Sequence, residues 1–346
     1  MRALVLEEKG KISIRDIEVD EKLGLDDVEI EVKNVGICGS DVHYYTHGGI
    51  GPYIVNEPMI LGHEASGLIT RVGKNVKNFK IGDRVCMEPG IPNLNSRATR
   101  EGFYNLDPEV RFWATPPIHG VARERVVHPA SFTFKLPDNV SLAEGAMVEP
   151  LAIGFQSIKK AAIFSGDFVV VIGAGTIGLM VVLAALTQGC RNIMVVDVAK
   201  DKLEIAKKID NRVITFTYDN NSKELIKKVN ELTLGKGAEV LFEASGSQKV
   251  GEYIMDVMAP AGTIVYVGMP LSPVPLDIVK AQAKEITIKT IFRYANMYER
   301  AIDSIASGLI NVKDLITKTF PFERSVEAYE YAVKTKEPVI KIQIEL

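Results

Sequence analysis

The run Gly36-Ile-Cys38-Gly-Ser40-Asp41-Val-His43-Tyr44 sets a thiol, a hydroxyl, a carboxylate and an imidazole within six positions. A second run, Gly62-His63-Glu64-Ala-Ser-Gly67, adds another imidazole and carboxylate between glycines. Zinc accepts sulfur, nitrogen and oxygen donors, and catalytic zinc sites combine three protein donors with one open position. Cys38, His63 and Glu64 could supply such a set. Taken singly, each has a plainer role: a lone cysteine packs as a small hydrophobe, and a lone histidine bonds to backbone. The joint pattern carries more weight, because the chain has only five histidines and three cysteines. His63 and Glu64 are sequence neighbours and would face opposite ways in a regular strand. Both reach one ion only if the backbone is irregular there.

A second chemistry is written further along. Gly173-Ala-Gly175-Thr176-Ile177-Gly178 fits G-x-G-x-x-G; it follows an apolar strand-like run, opens an apolar helix-like run, and precedes Val195-Val196-Asp197. Gly173 allows a tight turn, Gly175 lets backbone amides approach a pyrophosphate, and Gly178 lets helix pack on strand. Thr176 and Ile177 open the helix, whose N-terminus favours phosphate. Asp197 can accept from adenosine ribose hydroxyls and would repel a 2′-phosphate, so NAD is expected over NADP. Lys202 sits where it could meet the adenosine, or simply face solvent.

These residues need elements to hold them. The first 140 positions are β-rich, with Ala3–Leu6, Ile12–Ile14, Val28–Val35 and Ser66–Val72 as strands. Five prolines between Glu88 and Pro117 suggest a long surface excursion. Leu151–Ile163 has helical spacing. Strands at Phe168–Ile172, Ile193–Asp197, Val213–Thr215, Val240–Glu243 and Thr263–Val267 then alternate with helices such as Asp201–Lys208 and Ser222–Thr233, the pattern of βαβ units. Phe168 to Cys190 carries no charge and is long enough for a membrane span, but its glycines argue for a buried strand followed by a buried helix. The fold expected is α/β: a discontinuous β-rich domain, 1–150 and 290–346, interrupted by a βαβ domain, 151–289.

Whole-chain properties narrow the function. Lys and Arg number 41 against 44 Asp and Glu, a net charge of −3, which speaks against a nucleic-acid protein held by phosphate contacts. Three scattered cysteines form neither a disulfide framework nor a four-thiolate zinc site, so Cys86 and Cys190 read as ordinary buried residues and no oxidising compartment is required. No signal peptide is legible at the N-terminus. A cytoplasmic protein with neither nucleic-acid nor membrane partners is expected.

Gly62-His63-Glu64-x-x-Gly67-x5-Gly73-x2-Val76 resembles the signature of zinc-containing medium-chain dehydrogenases. Cys38-Gly-Ser-Asp-Val-His-Tyr44, Ala114-Thr-Pro-Pro117, Lys135-Leu-Pro-Asp138, Glu149-Pro-Leu151 and Phe292-Arg-Tyr294 resemble the sorbitol (polyol) dehydrogenase branch. The resemblance runs over essentially the whole chain. It implies a GroES-like catalytic domain, a Rossmann doubly wound parallel sheet, and zinc- and NAD-dependent oxidation of a sugar alcohol (sorbitol, xylitol or L-iditol) to a ketose. Carried over, Cys38, His63 and Glu64 become ligands of one catalytic zinc. Glu149 holds the zinc-bound water or ligates directly. Ser40, the nicotinamide ribose hydroxyl and His43 form a proton relay, although Ser40 and His43 would also suit turn capping and support of the metal site. Tyr44, Glu149, Arg293 and Tyr294 are candidate substrate contacts, with an ion-pair role equally open to Arg293.

Many relatives carry four cysteines for a structural zinc; here Asn93, Asn95, Ser96, Arg97 and Asp107 stand in that lobe, so no structural zinc is expected. Homo-oligomers, tetramers or dimers, are common in the branch, and the segment from Val274 to Ile291 is expected to offer edge strands. Alternatives are a related zinc dehydrogenase acting on a secondary alcohol, diol or L-threonine, and a silent dinucleotide-binding protein.

Overall fold

The computed structural model describes residues 1–346. They divide into two compact units, Met1–Glu149 with Tyr298–Leu346, and Pro150–Met297. The first boundary falls one residue before the expected 150/151, and the second eight residues after the expected 289/290.

The first unit is built on a seven-stranded sheet. Its axis is the ten-residue strand Asp27–Gly36, in which Val28, Ile30 and Val32 alternate toward the core and Val35 is buried beyond a register shift. Glu64–Val72 pairs antiparallel along one edge of it. The other edge is shared: Arg125–Pro129 covers residues 27–31, and Lys341–Glu345 covers residues 34–36. The chain therefore returns, after the whole second unit, to complete the sheet it began.

The stretch from Glu88 to Pro117 is a surface excursion along its middle, where Leu94, Phe103 and Leu106 are exposed, but its two ends are packed. Gly90–Ile91 pairs with Arg111–Phe112, and Phe112, Trp113 and Ala114 are buried. The polar residues of this lobe tie it together. Buried Asp107 accepts from the Asn93 amide at 2.5 Å and the Glu109 amide at 3.2 Å. Ser96 caps the short helix Arg97–Arg100. The lobe is exposed along its middle and anchored by these bonds and by its buried ends.

The second unit is a six-stranded, wholly parallel sheet. In space the strands run Val213–Thr217, Asn192–Asp197, Phe168–Ile172, Ala238–Glu243, Met258–Tyr266 and Thr287–Thr290. The order reverses at Phe168–Ile172, and ligands of such sheets bind at the carboxyl ends of strands beside that switch point. The uncharged run from Phe168 resolves into this strand and the helix Thr176–Leu186, broken at the glycines. No helix is long and apolar enough to cross a membrane.

Candidate functional site

Three donors converge in the first unit. The ligand atoms of Cys38, His63 and Glu64 all lie within 4.8 Å of one another. Cys38 is the N-cap of the helix Gly39–His47, and its main-chain amide donates to Asp41 Oδ2 at 3.2 Å. Gly62 has φ +87°, and the strand begins only at Glu64. That irregularity lets two adjacent side chains serve one point.

Asp41 is the hub, with no exposed surface. Its Oδ1 accepts from the Gly62 amide at 3.3 Å and lies 3.5 Å from His63 Nδ1, an electrostatic contact short of a well-formed hydrogen bond. A carboxylate there favours the Nδ1–H tautomer and leaves the Nε2 lone pair for a metal. Burial pulls the His63 imidazole down, but the negative groups of Asp41 and Cys38 outweigh it, so its net displacement is upward. The cluster draws positive charge, as a metal-binding donor set must.

Glu64 is also fully buried, and both its oxygens lie 2.7 Å from Lys341 Nζ. Lys341 Nζ donates further to the Ile37 carbonyl at 3.1 Å. Burial alone would lower the Lys341 ammonium, yet Glu64 beside it leaves it raised. Gly36 faces Glu64 across the sheet, and a Cβ there would collide with the carboxylate. Glu149, in the first turn of the helix Val148–Ala161, is buried but outside the three-donor group. Glu88 lies near it; burial first, and then Glu149, push the Glu88 carboxyl up to about 8, while the Tyr104 hydroxyl donates to it at 2.7 Å.

Ser40 and His43 are half-buried on the first turns of the helix that Cys38 caps. Tyr44 is buried, and desolvation, with Asp41 adding to it, pushes its phenol up to about 12. Tyr329, which sequence reasoning missed, is buried within the field of Asp41, Cys38 and Glu64. Asp41 was legible as part of a motif, and Lys341 gave no signal at all.

In the second unit Gly173 follows the switch-point strand with φ +106°, and a Cβ there would press on the Ala244–Ser245 backbone. Gly178 packs so closely on the Gly173 carbonyl that any side chain would clash. Gly175, with open space around it, caps the helix begun by Thr176, Ile177 and Gly178. Asp197 ends the neighbouring strand; its Oδ2 accepts from Ala174 at 2.6 Å and its Oδ1 from Ala199 at 2.8 Å. A carboxylate has about four lone-pair sites, so acceptor capacity remains for a ribose. Lys202 is half-exposed on the helix Lys200–Lys207. Glu243 was missed: buried at its strand end, it accepts from the Ser245 and Gly246 amides at 2.9 and 3.1 Å and fixes the loop beside Gly173. Arg293 has φ +54° and stacks its guanidinium 4.7 Å from the Phe292 ring centroid, while Tyr294 is buried.

Residues 24–138 match the family described as alcohol dehydrogenase GroES-like domain, and residues 176–307 the family described as zinc-binding dehydrogenase. A D-xylulose reductase of Morganella morganii is 60% identical over 96% of this chain and 98% of its own. The rat sorbitol dehydrogenase is 40% identical over 96% of this chain and 92% of its own. Among solved structures, 2R,3R-butanediol dehydrogenase from Bacillus subtilis superposes with TM-score 0.89 at 29% identity, covering 100% of this chain and 99% of that one. The GroES-like and zinc-binding dehydrogenase matches, joined to whole-length relatives of this similarity, mean that the chain belongs to the zinc-containing medium-chain dehydrogenases, in their polyol dehydrogenase branch.

Proposed function

We propose that this protein oxidises a secondary hydroxyl of an open-chain polyol, of the sorbitol, xylitol or L-iditol class, to the ketose, with NAD as acceptor. The observation that carries the reading is the convergence of thiol, imidazole and carboxylate in half-buried Cys38 and buried His63 and Glu64. That donor set suits zinc, and the glycine turn with Asp197 suits a dinucleotide without a 2′-phosphate. When bound, zinc supplies Lewis-acid polarisation of the substrate hydroxyl and NAD supplies the hydride acceptor.

The chain's own residues do the rest. Asp41 orients His63, and Lys341 balances the charge of Glu64. Ser40 Oγ takes the departing hydroxyl proton and His43 receives it in turn. Tyr44 and Glu149 in the first unit, and Arg293 and Tyr294 in the second, are the candidate substrate contacts. Thr176, Ile177 and Gly178 would hold the pyrophosphate through their amides, Asp197 would accept from the ribose, and Lys202 would stand on the adenosine side. Three free thiols suit a reducing compartment such as the cytoplasm. The strand Thr287–Thr290 ends its sheet, which supports self-association through that edge into a dimer or tetramer.

The test combines metal analysis with NADH absorbance across a panel of polyols, secondary diols and L-threonine. Polyols should turn over fastest. In Cys38→Ser, zinc content and turnover should vanish together; full activity without metal would sink the assignment.

A further inference from the structure

The relay just described ends on His43, which is only half-exposed, so an exposed neighbour would shorten the proton's path to water. One turn along the same helix face stands His47, exposed, with its ring centroid 5.0 Å from that of His43 and its plane tilted by 33°. No hydrogen bond joins the two rings directly, and at that spacing a small ring rotation or one bridging water would link them.

Hydrogen bonding around His47 sets which atom is basic. Thr46 Oγ1 donates to the Val42 carbonyl at 2.7 Å and also lies 2.7 Å from His47 Nδ1. A hydroxyl has one hydrogen, and it is committed to Val42, so Oγ1 accepts from His47 Nδ1–H. The neutral ring is thereby held as one tautomer, with its lone pair on Nε2. His47 is also the last residue of the helix, beside the partial negative charge of the final carbonyls, which suits a passing positive charge.

We propose that His47 is the exit station for the reaction proton, a role that rests on the polyol dehydrogenase reading. Each turnover converts R2CHOH and NAD+ into R2C=O, NADH and one proton. The C–H bond breaks with its electron pair going to the nicotinamide, and the O–H bond breaks with its proton going to Ser40 and His43. His47 Nε2 takes that proton from His43 and releases it to bulk water. His47 acts through His43 and touches no reacting atom, so it is a positioning group for proton flow.

Stopped-flow mixing of protein, NAD and a turning-over polyol in dilute buffer tests this, with NADH followed by absorbance and protons by an indicator dye. In His47→Ala and His47→Gln, NADH should form in the first turnover at the wild-type rate, while proton release lags by about tenfold. Added imidazole should abolish the lag, which repair of a structural defect would not do. Proton release keeping pace with NADH in both variants, or a lag that imidazole leaves in place, overturns the proposal. Wild-type protein that reduces NAD with no polyol overturns the underlying reading instead, and His47's role with it.

Discussion

Asp41 touches three parts of the donor cluster at once: the Cys38 amide, the Gly62 amide and the His63 ring. Its carboxylate is buried with no exposed surface, so the charge is tolerated only because these groups, and any cation they gather, face it. Asp41→Asn keeps the shape and one acceptor oxygen but removes the charge that favours the metal-ready tautomer of His63. Zinc affinity should fall about 10- to 100-fold with little change in helix content. Competition with a chromophoric chelator reads the first quantity and circular dichroism the second; unchanged affinity would show that the carboxylate does not orient His63.

At the scale of elements, the strand Arg125–Pro129 carries His128, fully buried against Trp113 with ring centroids 4.5 Å apart. Neither ring nitrogen makes a hydrogen bond, although the main chain near Glu88 and Phe132 offsets part of the cost. Burial holds this imidazole down to about 4, against an ordinary value of 6.5. Between those values the unfolded chain binds the proton and the folded chain does not. The contribution is therefore complete above pH 6.5 and is lost as pH falls toward 4, at about 1.4 kcal/mol per unit, or ~3 kcal/mol in all. Trp113 is the sole tryptophan, so its fluorescence reports this lobe directly during urea unfolding. His128→Gln should flatten the acid limb of stability; a wild-type slope in the variant would mean that His128 does not titrate this way.

The same lobe shows where sequence reading stops. Phe168–Ile172 and Ser222–Thr233 match their expected spans, because a continuous apolar run and a strong helical period leave little choice. The proline-rich stretch was legible as irregular and exposed along its middle, but its buried ends were not, because proline reports loss of regular hydrogen bonding and not where the chain packs. Cys38, His63 and Glu64 were legible since glycines and rare residue types mark them locally. Lys341 was not, since its partner lies 277 residues away and no local pattern separates it from a surface lysine.

At the scale of the molecule, the first unit depends on its last strand. Lys341–Glu345 lies between Asp27–Gly36 and Ile316–Pro321 and brings the only cation hydrogen-bonded to Glu64. Breaking a buried pair from one side leaves a buried charge, at a cost of about 3–5 kcal/mol. With metal removed by chelation, Lys341→Met should lower the stability read at Trp113 by that amount, and adding Glu64→Gln should recover much of it. Equal stability of Lys341→Met and the wild type would show that the pair does not hold the sheet.

The 277-residue interval also sets a timetable. A ribosome releases Cys38, His63 and Glu64 early, and must then synthesise the entire second unit before Lys341 emerges. Throughout that interval the Glu64 carboxylate has no ammonium beside it. The donor group can therefore reach its finished charge balance only late in translation, and metal captured earlier would be held by a nascent chain whose sheet still lacks a strand.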